Sequence, residues 1–500
     1  MIIQQTLQNL TLFIPETILT ATFCLAVITG LIFRQKQYLA GYVVFAGVLS
    51  ALAAVIFQAG ASQSLFSGMI AVDPFADFFK TLAALSMLFI LLFSHYSSEV
   101  QKNARRMGEY YALLSAMTLG MFLMAGAANV LMMVLAMELV SLSSYVLAGY
   151  TKEALDSSEA SLKYIIYGAV ASGIMLYGIS ILFGLTGSVG FSGINHALAM
   201  GVPNYLALLL AMIFIFVGFG FKISAVPFHF WTPDVYEGAP ITITALLSVA
   251  SKSAGFAMMM RFLKTVFIDT GAVQIPAGTW TSLGGFEWNK MLAVICVLTM
   301  TLGNFVAVWQ DNLKRLLAYS SIAHAGYMLM GVVVMSDKGF LAVLIYFGVY
   351  LFMNLGAFFV VMLVANKTGS EDISAYRGLG YRSPFLGFAM AVFMISLTGI
   401  PLTGGFIGKF YLFAALLVDS RWIWLAVVGV LNSVVSLYYY ARILRYMYLR
   451  EPDAQSAPFT LLKGEIAVTL LLLIPTLLFG LYFTPLVDFA NASLGMLGIH

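Results

Sequence analysis

Apolar residues fill this chain in unbroken runs, separated by short polar connections, almost from end to end. A run of about 20 apolar residues is the length needed to cross a bilayer as a helix. The pattern predicts spans over about 10–33, 38–59, 74–97, 110–126, 128–149, 162–186, 205–229, 241–267, 290–309, 319–336, 339–366, 386–418, 422–447 and 465–488. The expected fold is therefore an all-α polytopic membrane protein of about fourteen transmembrane helices. Connections are short, so neighbouring helices run antiparallel, and no linker marks off a soluble domain. A β-barrel is excluded, because its strands alternate in polarity over about 10 residues.

Composition agrees with the pattern. Of 500 residues, 61% are hydrophobic and 9% charged, with a mean hydropathy of +0.95. A soluble protein of this length could not hide so much apolar surface. The formal net charge of +3 argues against a nucleic-acid partner. Cys24 and Cys296 both fall in apolar runs and are too few to ligate an iron–sulfur cluster, which takes about four ligands. The start of the chain is poor in basic residues and its first apolar run is long enough to span, so a retained first helix is expected rather than a cleaved signal peptide.

Charge gives an orientation. With the N-terminus outside, the inner connections hold Arg34, Lys36, Lys102, Arg105, Arg106, Lys152, Lys314, Arg315, Lys367, Arg377, Arg382, Arg445, Arg450 and Lys463. Outer connections hold Lys338 and Arg421, with Lys264 and Lys290 near helix ends, and segments 60–75, 187–204 and 269–288 lack Lys and Arg altogether. By the positive-inside rule, both termini are expected on the outer side.

The seventh span is interrupted at Pro227, and the twelfth in Gly399-Ile-Pro-Leu-Thr-Gly-Gly-Phe-Ile-Gly-Lys409. Paired broken helices point to a transporter-like repeat around a central site. An offset of five helices inverts the second copy. This divides the chain into an N-terminal three-helix part over 1–109, a first five-helix repeat over 110–268, an inverted second repeat over 289–449, and a last helix within 450–500.

Charges inside spans are the chemistry-bearing feature, since each uncompensated one costs at least about 2.5–3.5 kcal/mol on insertion scales. Glu138, Lys222, Lys252 and Lys409 stand in such positions. A buried Glu138–Lys222 pair would keep Lys222 protonated, and separating it would release a proton; the bland alternative is a static pair locking two helices. Lys252, among Ser248, Ser251 and Ser253, reads as a titrating lysine in a hydrated cavity or as one capped by backbone carbonyls. Lys409, among Gly404, Gly405 and Gly408, reads as a proton site or as a lysine reaching to the interface. His229 lies seven residues after Lys222, about 10.5 Å on a continuous helix, and either relays protons between Lys222 and Lys252 or makes a structural hydrogen bond. His324 is a weaker candidate, Lys163 lines an entry path or meets lipid headgroups, and Asp234 and Glu237 organise the turn after the seventh span. A dinucleotide motif is missing: Gly218-Phe-Gly220 lacks the third glycine.

Lys222-Ile-Ser-Ala-Val-Pro-Phe-His-Phe-Trp-Thr-Pro-Asp-Val-Tyr-Glu-Gly-Ala-Pro240, followed by Leu247-Ser-Val-Ala-Ser-Lys252, resembles the antiporter-like subunits of proton-pumping NADH:quinone oxidoreductase, respiratory complex I. Met137-Glu138-Leu139, Lys314-Arg315-Leu-Leu-Ala-Tyr-Ser-Ser-Ile-Ala-His324 and Gly399 to Lys409 resemble them too, so the likeness spans nearly the whole chain. Asp234 to Pro240 is similar to the N-type branch. Lysine at 409 disfavours the M-type, and the lack of a long C-terminal amphipathic helix disfavours the L-type.

The resemblance implies fourteen core helices with inverted repeats, Glu138 and Lys222 as a coupling pair, Lys252 as central relay and Lys409 as terminal proton site. It further implies a bacterial inner-membrane location, other membrane-arm subunits and the lipid bilayer as partners, and no cofactor in this chain. NADH, FMN, iron–sulfur clusters and quinone then belong to partner subunits. Two rival readings stand beside it: a subunit of a multi-subunit cation/proton antiporter, and a structural spacer whose charges only hold helices together.

Overall fold

The computed structural model describes residues 9–102, 106–201, 204–269, 279–283, 287–452 and 459–497. Arg105, both chain ends and most of segment 269–288 lie outside the described residues. In chain order the main helices are α1 (Ile14–Ile32), α2 (Tyr38–Phe57), α3 (Pro74–Tyr96), α4 (Met107–Gly126), α5 (Val130–Ala148), α6 (Leu155–Thr186) and α7 (Tyr205–Ile223, then Trp231–Gly238). They continue as α8 (Ile241–Phe267), α9 (Trp288–Ala307), α10 (Leu313–Val333), α11 (Asp337–Thr368), α12 (Pro384–Thr398, then Gly404–Leu417), α13 (Ile423–Leu449) and α14 (Lys463–Leu481). Among the described residues twelve helices are long and apolar enough to cross a membrane. The exceptions are α4, whose first turn carries Glu109, and α12, whose pieces have 15 and 14 residues.

The polar starts of two helices were not legible as helix. α6 begins at Leu155 and α10 at Leu313, earlier than the expected 162 and 319. Ser157 Oγ donates to the Ala148 carbonyl, and the Asn312 side chain caps α10 by accepting from the Arg315 N–H, so both extra turns are held. In the other direction, α7 stops at Ile223 rather than 229, and Asp234 and Glu237 lie in its second piece rather than in a turn.

Each end of the bundle is stitched separately. At one end Ser98 Oγ donates to Asn366 Oδ1 (2.7 Å), the Leu313 N–H to the Glu371 carbonyl (2.9 Å) and the Phe459 N–H to the Arg382 carbonyl (3.1 Å). At the opposite end a hairpin of β1 (Gln63–Leu65) and β2 (Ile70–Val72) lies against the α4–α5 connection through an Ala128 N–H to Met69 carbonyl bond of 2.9 Å. The first end carries the Lys- and Arg-rich connections and is called the basic end here.

Burial ranks the helices. The apolar windows of α8, α10 and α11 are 100%, 94% and 89% buried, against 28% for α1 and 33% for α2, α6 and α14. The three central helices are thus those that lipid cannot solvate, and they hold Lys252, His324 and Asn354.

Local signatures recur at an offset of five helices. α4 and α9 each have 20 residues, α6 and α11 each have 32, and α8 and α13 each have 27. Asn129 caps α5 and bridges to Gly190, while Asn312 caps α10 and bridges to Asp372. α6 and α11 end alike on left-handed Gly187 and Gly369, with Thr186 and Thr368 hydroxyls folding back on their own turns. One copy has these features at the opposite end, the other at the basic end.

Candidate functional site

Lys222 occupies the last turn of α7, where Ser224 turns the backbone left-handed (φ 61°) and stops the helix. The following Val226–Pro227 bond is cis. The polar groups this break frees are taken up locally: Ala225 N–H donates to the Gly220 carbonyl (2.8 Å), Trp231 Nε1 to the Phe221 carbonyl (3.1 Å) and Val226 N–H to Thr299 Oγ1 (3.0 Å). Pro227 therefore does not kink a continuous helix, and the spacing expected for His229 fails. His229 sits in the non-helical turn, buried, its Nδ1 without a hydrogen-bond partner among the described residues.

The expected Glu138–Lys222 ion pair is not formed. Lys222 Nζ donates instead to Ser141 Oγ at 3.3 Å, and Ser141 stands one turn beyond Glu138 on α5. One oxygen of the half-buried Glu138 carboxyl is enclosed without a partner. Lys222 is 2% exposed and its direct polar contact is a neutral hydroxyl, with the Glu138 charge near enough to act on it without an ion-pair contact.

Lys252 follows directly on a single π-helical turn, Leu247–Ser251, inside α8. Such turns leave backbone groups less tightly paired and recur at functional sites. Within it Ser248 accepts from Asn354 Nδ2 of α11 (2.7 Å). Lys252 Nζ donates to Ser321 Oγ of α10 at 2.9 Å and lies 5.9 Å from the Tyr236 ring centroid. Among the described residues no ion pair includes Lys222, Lys252 or Lys409.

His324 stands one turn beyond Ser320 and Ser321 on α10, between Lys252 and Lys409 and close enough to feel both charges. Its Nδ1 bonds with Tyr346 hydroxyl (2.6 Å) and its Nε2 with Tyr440 hydroxyl (3.2 Å), which also meets Ser320 Oγ at 2.5 Å. Lys409 then donates to the Thr398 carbonyl (2.7 Å), at the break in α12, and to Ser433 Oγ (3.1 Å), with the Tyr327 ring 4.6 Å away. So Lys252 and Lys409 fall on one succession of buried polar groups, with Ser321, His324, Tyr346, Tyr440 and Tyr327 filling the interval, while among the described residues no hydrogen bond joins Lys222 to it. His324, the weaker candidate by sequence, lies at its middle. The signal was there in the sequence: Ser320, Ser321, His324 and Tyr327 share one helical face at spacings of three and four.

Lys163 is at the basic end, paired with Glu159 (2.8 Å) and Asp234 (2.6 Å), while Arg315 binds Asp234 and Glu237, both at 2.7 Å. Two further buried ion pairs lie outside the sequence-based candidates. Arg261 grips Asp73 through two bonds of 2.6 and 2.7 Å, and Lys80 meets Glu16 at 2.6 Å. All four are charges in or beside predicted spans, which is the signal that should have flagged them.

A bundle of antiparallel apolar helices, two of them broken, with buried lysines in its interior, defines a polytopic helical membrane protein that keeps charged groups in its core. Residues 127–436 match the family described as NADH:quinone oxidoreductase/Mrp antiporter, TM, and the chain belongs to that family. It is 48% identical over 492 residues to NADH-quinone oxidoreductase subunit N 2 of Chloroherpeton thalassium, covering 97% of this chain and 94% of that one. Subunit N of Chlorobium chlorochromatii is 46% identical over 495 residues, covering 98% and 95%. Among solved structures, a chain of respiratory complex I from Thermus thermophilus with bound aureothin is similar with a TM-score of 0.78 and 29% identity, over 95% of this chain and 99% of that one. The Mrp complex of Dietzia sp. contains a chain of the same fold (TM-score 0.80, 20% identity, 97% of each chain).

Proposed function

We propose that this chain is the N-type proton-translocating subunit in the membrane arm of an NADH:quinone oxidoreductase. It moves protons along Glu138, Lys222, Lys252 and Lys409, driven by quinone reduction in partner subunits. The observation that carries this is the succession of buried lysines bonded only to neutral groups. Each of these lysines meets a hydroxyl or a carbonyl rather than a carboxylate, so one charge arriving at a neighbour can shift the next. His324 bridges the interval between Lys252 and Lys409, and His229 flanks the break beside Lys222. Identity of 48% over 97% of the chain to a relative named subunit N supports this reading over a stand-alone cation/proton antiporter.

All of α1 to α14 span the bilayer in this reading, with α4 and both pieces of α12 in the count. Helices α4–α8 and α9–α13 form the two inverted units, over about 110–268 and 289–449, supported by the matched lengths, caps and bridges. The basic end faces the cytoplasm, and both termini lie on the outer side of a bacterial inner membrane. NADH, FMN, iron–sulfur clusters and quinone are held by partner subunits, and neighbouring antiporter-like subunits flank this chain.

The test is Glu138→Ala and Lys222→Ala, each in assembled complex, with proton pumping measured per NADH oxidised. Both are expected to lower the ratio while electron transfer through an uncoupled complex persists. Undiminished coupled pumping in both sinks the roles of those residues.

A further inference from the structure

One buried cluster lies apart from the line of lysines, in the three-helix part formed by α1, α2 and α3. Glu16 of α1 and Lys80 of α3 are both fully buried and in contact at 2.6 Å. Asp77, three residues before Lys80, is 6% exposed; its Oδ1 is met by Gln58 Nε2 at 3.5 Å and its Oδ2 has no hydrogen-bond partner among the described residues. Asp73, at the start of the same helix, is matched by Arg261 of α8. From the other elements packed on α3, Asp337 of α11 is engaged by Lys264, α4 and α14 carry no charge at this end, and Asp488 of the short helix Thr484–Ala492, whose Phe489 meets Phe78, is exposed to solvent.

The charges do not balance. Glu16 cancels Lys80 and Asp73 cancels Arg261, which leaves the Asp77 carboxyl as one unmatched negative charge in a low-dielectric site. An ionised carboxylate there is costly unless a positive species joins it. A metal ion does not fit: no group of three or more His, Cys, Asp or Glu able to hold one exists among the described residues, and the Lys80 ammonium already lies beside the carboxyls. A proton does fit. Gln58, half-buried at the end of α2 with exposed Ala59 and Gly60 beyond it, connects Asp77 to the surface opposite the basic end.

We propose that Asp77 is a second proton-exchange site, separate from the two five-helix units, filled and emptied at the end opposite the basic one past Gln58. The Glu16–Lys80 pair beside it fixes the charge that Asp77 senses. The site exchanges a proton with the solvent on that side whether or not the lysine line is intact.

Infrared difference spectroscopy of the assembled complex in proteoliposomes, as the solvent pH is stepped, tests this. The wild type is expected to show the carbonyl band of a protonated carboxylic acid that disappears as pH rises. Asp77→Asn is expected to lose that band, and Lys222→Ala to keep it, so that failure of this site and failure of the lysine line are read separately. Gln58→Ala is expected to keep the band but slow its exchange several-fold. A spectrum unchanged by Asp77→Asn overturns the proposal, as does a band removed by added sodium at constant pH, which marks a cation site. Where Asp77→Asn lowers the yield of complex, the Gln58→Ala exchange rate decides alone: no change from wild type overturns the proposal.

Discussion

Among the described residues no carboxylate pairs with Lys252, and its Nζ–Ser321 Oγ bond of 2.9 Å is the direct polar contact that holds it. A hydrogen bond to a charged group contributes about 1.5–3 kcal/mol. Ser321→Ala should therefore loosen the hold on Lys252 by a margin of that order. The check is pumping per NADH, expected to fall, with Ser321→Thr restoring it because the hydroxyl is kept. The Asp73–Arg261 pair has the opposite character. Burial pushes the Asp73 carboxyl up, but the Arg261 charge and its two bonds outweigh this and hold it below the usual carboxylate range. A carboxyl lowered on folding adds stability that is present above its unfolded value, about 3.9, and is lost as pH falls through the folded value. This clasp should thus survive from neutral pH down to about 4 and open only below it. Arg261→Leu should cost about 3–5 kcal/mol by stranding Asp73, seen as a lower thermal midpoint of the solubilised complex, and Asp73→Asn in the same chain should recover part of it.

At the scale of the helix, the two breaks differ in how they are built. α7 stops on Ser224, and its freed groups are met by Trp231 and Thr299. α12 stops on Gly399 (φ 88°), and its second piece packs against its first so closely that a Cβ on Gly405 would run into the Ser396 carbonyl oxygen. The Gly405 N–H also donates to Ser396 Oγ (3.1 Å). Gly405→Ala should push the pieces apart and move Thr398, whose carbonyl holds Lys409, so pumping should fall while Glu138 and Lys222 are untouched. Cross-linking cysteines placed on the two pieces would report the separation. Both breaks were legible in sequence, because proline and clustered glycine in an apolar run have few other meanings. The consequence at Pro227 was not. Whether a helix bends or ends there depends on which distant groups accept the freed N–H and C=O, and Thr299 lies 73 positions away. The same limit explains Glu138 and Lys222. Their charges were visible in the sequence, but that Lys222 meets the Ser141 hydroxyl rather than the Glu138 carboxyl depends on how α5 and α7 are rotated against each other.

Across the whole molecule, Lys222, Lys252 and Lys409 lie on three different helices, and the packing of α8, α10, α11 and α13 is what brings Lys252 and Lys409 to one set of buried polar groups. That packing is also why His324 looked unimportant: its partners Tyr346 and Tyr440 come from α11 and α13. If the line works as one path, its middle should matter as much as its ends. Lys252→Met keeps the length and apolar stem of the side chain while removing the charge, and it frees Ser321 to bond elsewhere. In assembled complex it should abolish the share of pumping that depends on Lys409, so that Lys252→Met, Lys409→Met and the double variant all give the same reduced number of protons per NADH. Additive losses would instead mean two separate paths, one in each five-helix unit. Unaltered pumping in all three, with assembly retained, would leave the charges as spacers between helices, since a buried lysine that only holds α8 to α10 has no reason to carry a proton.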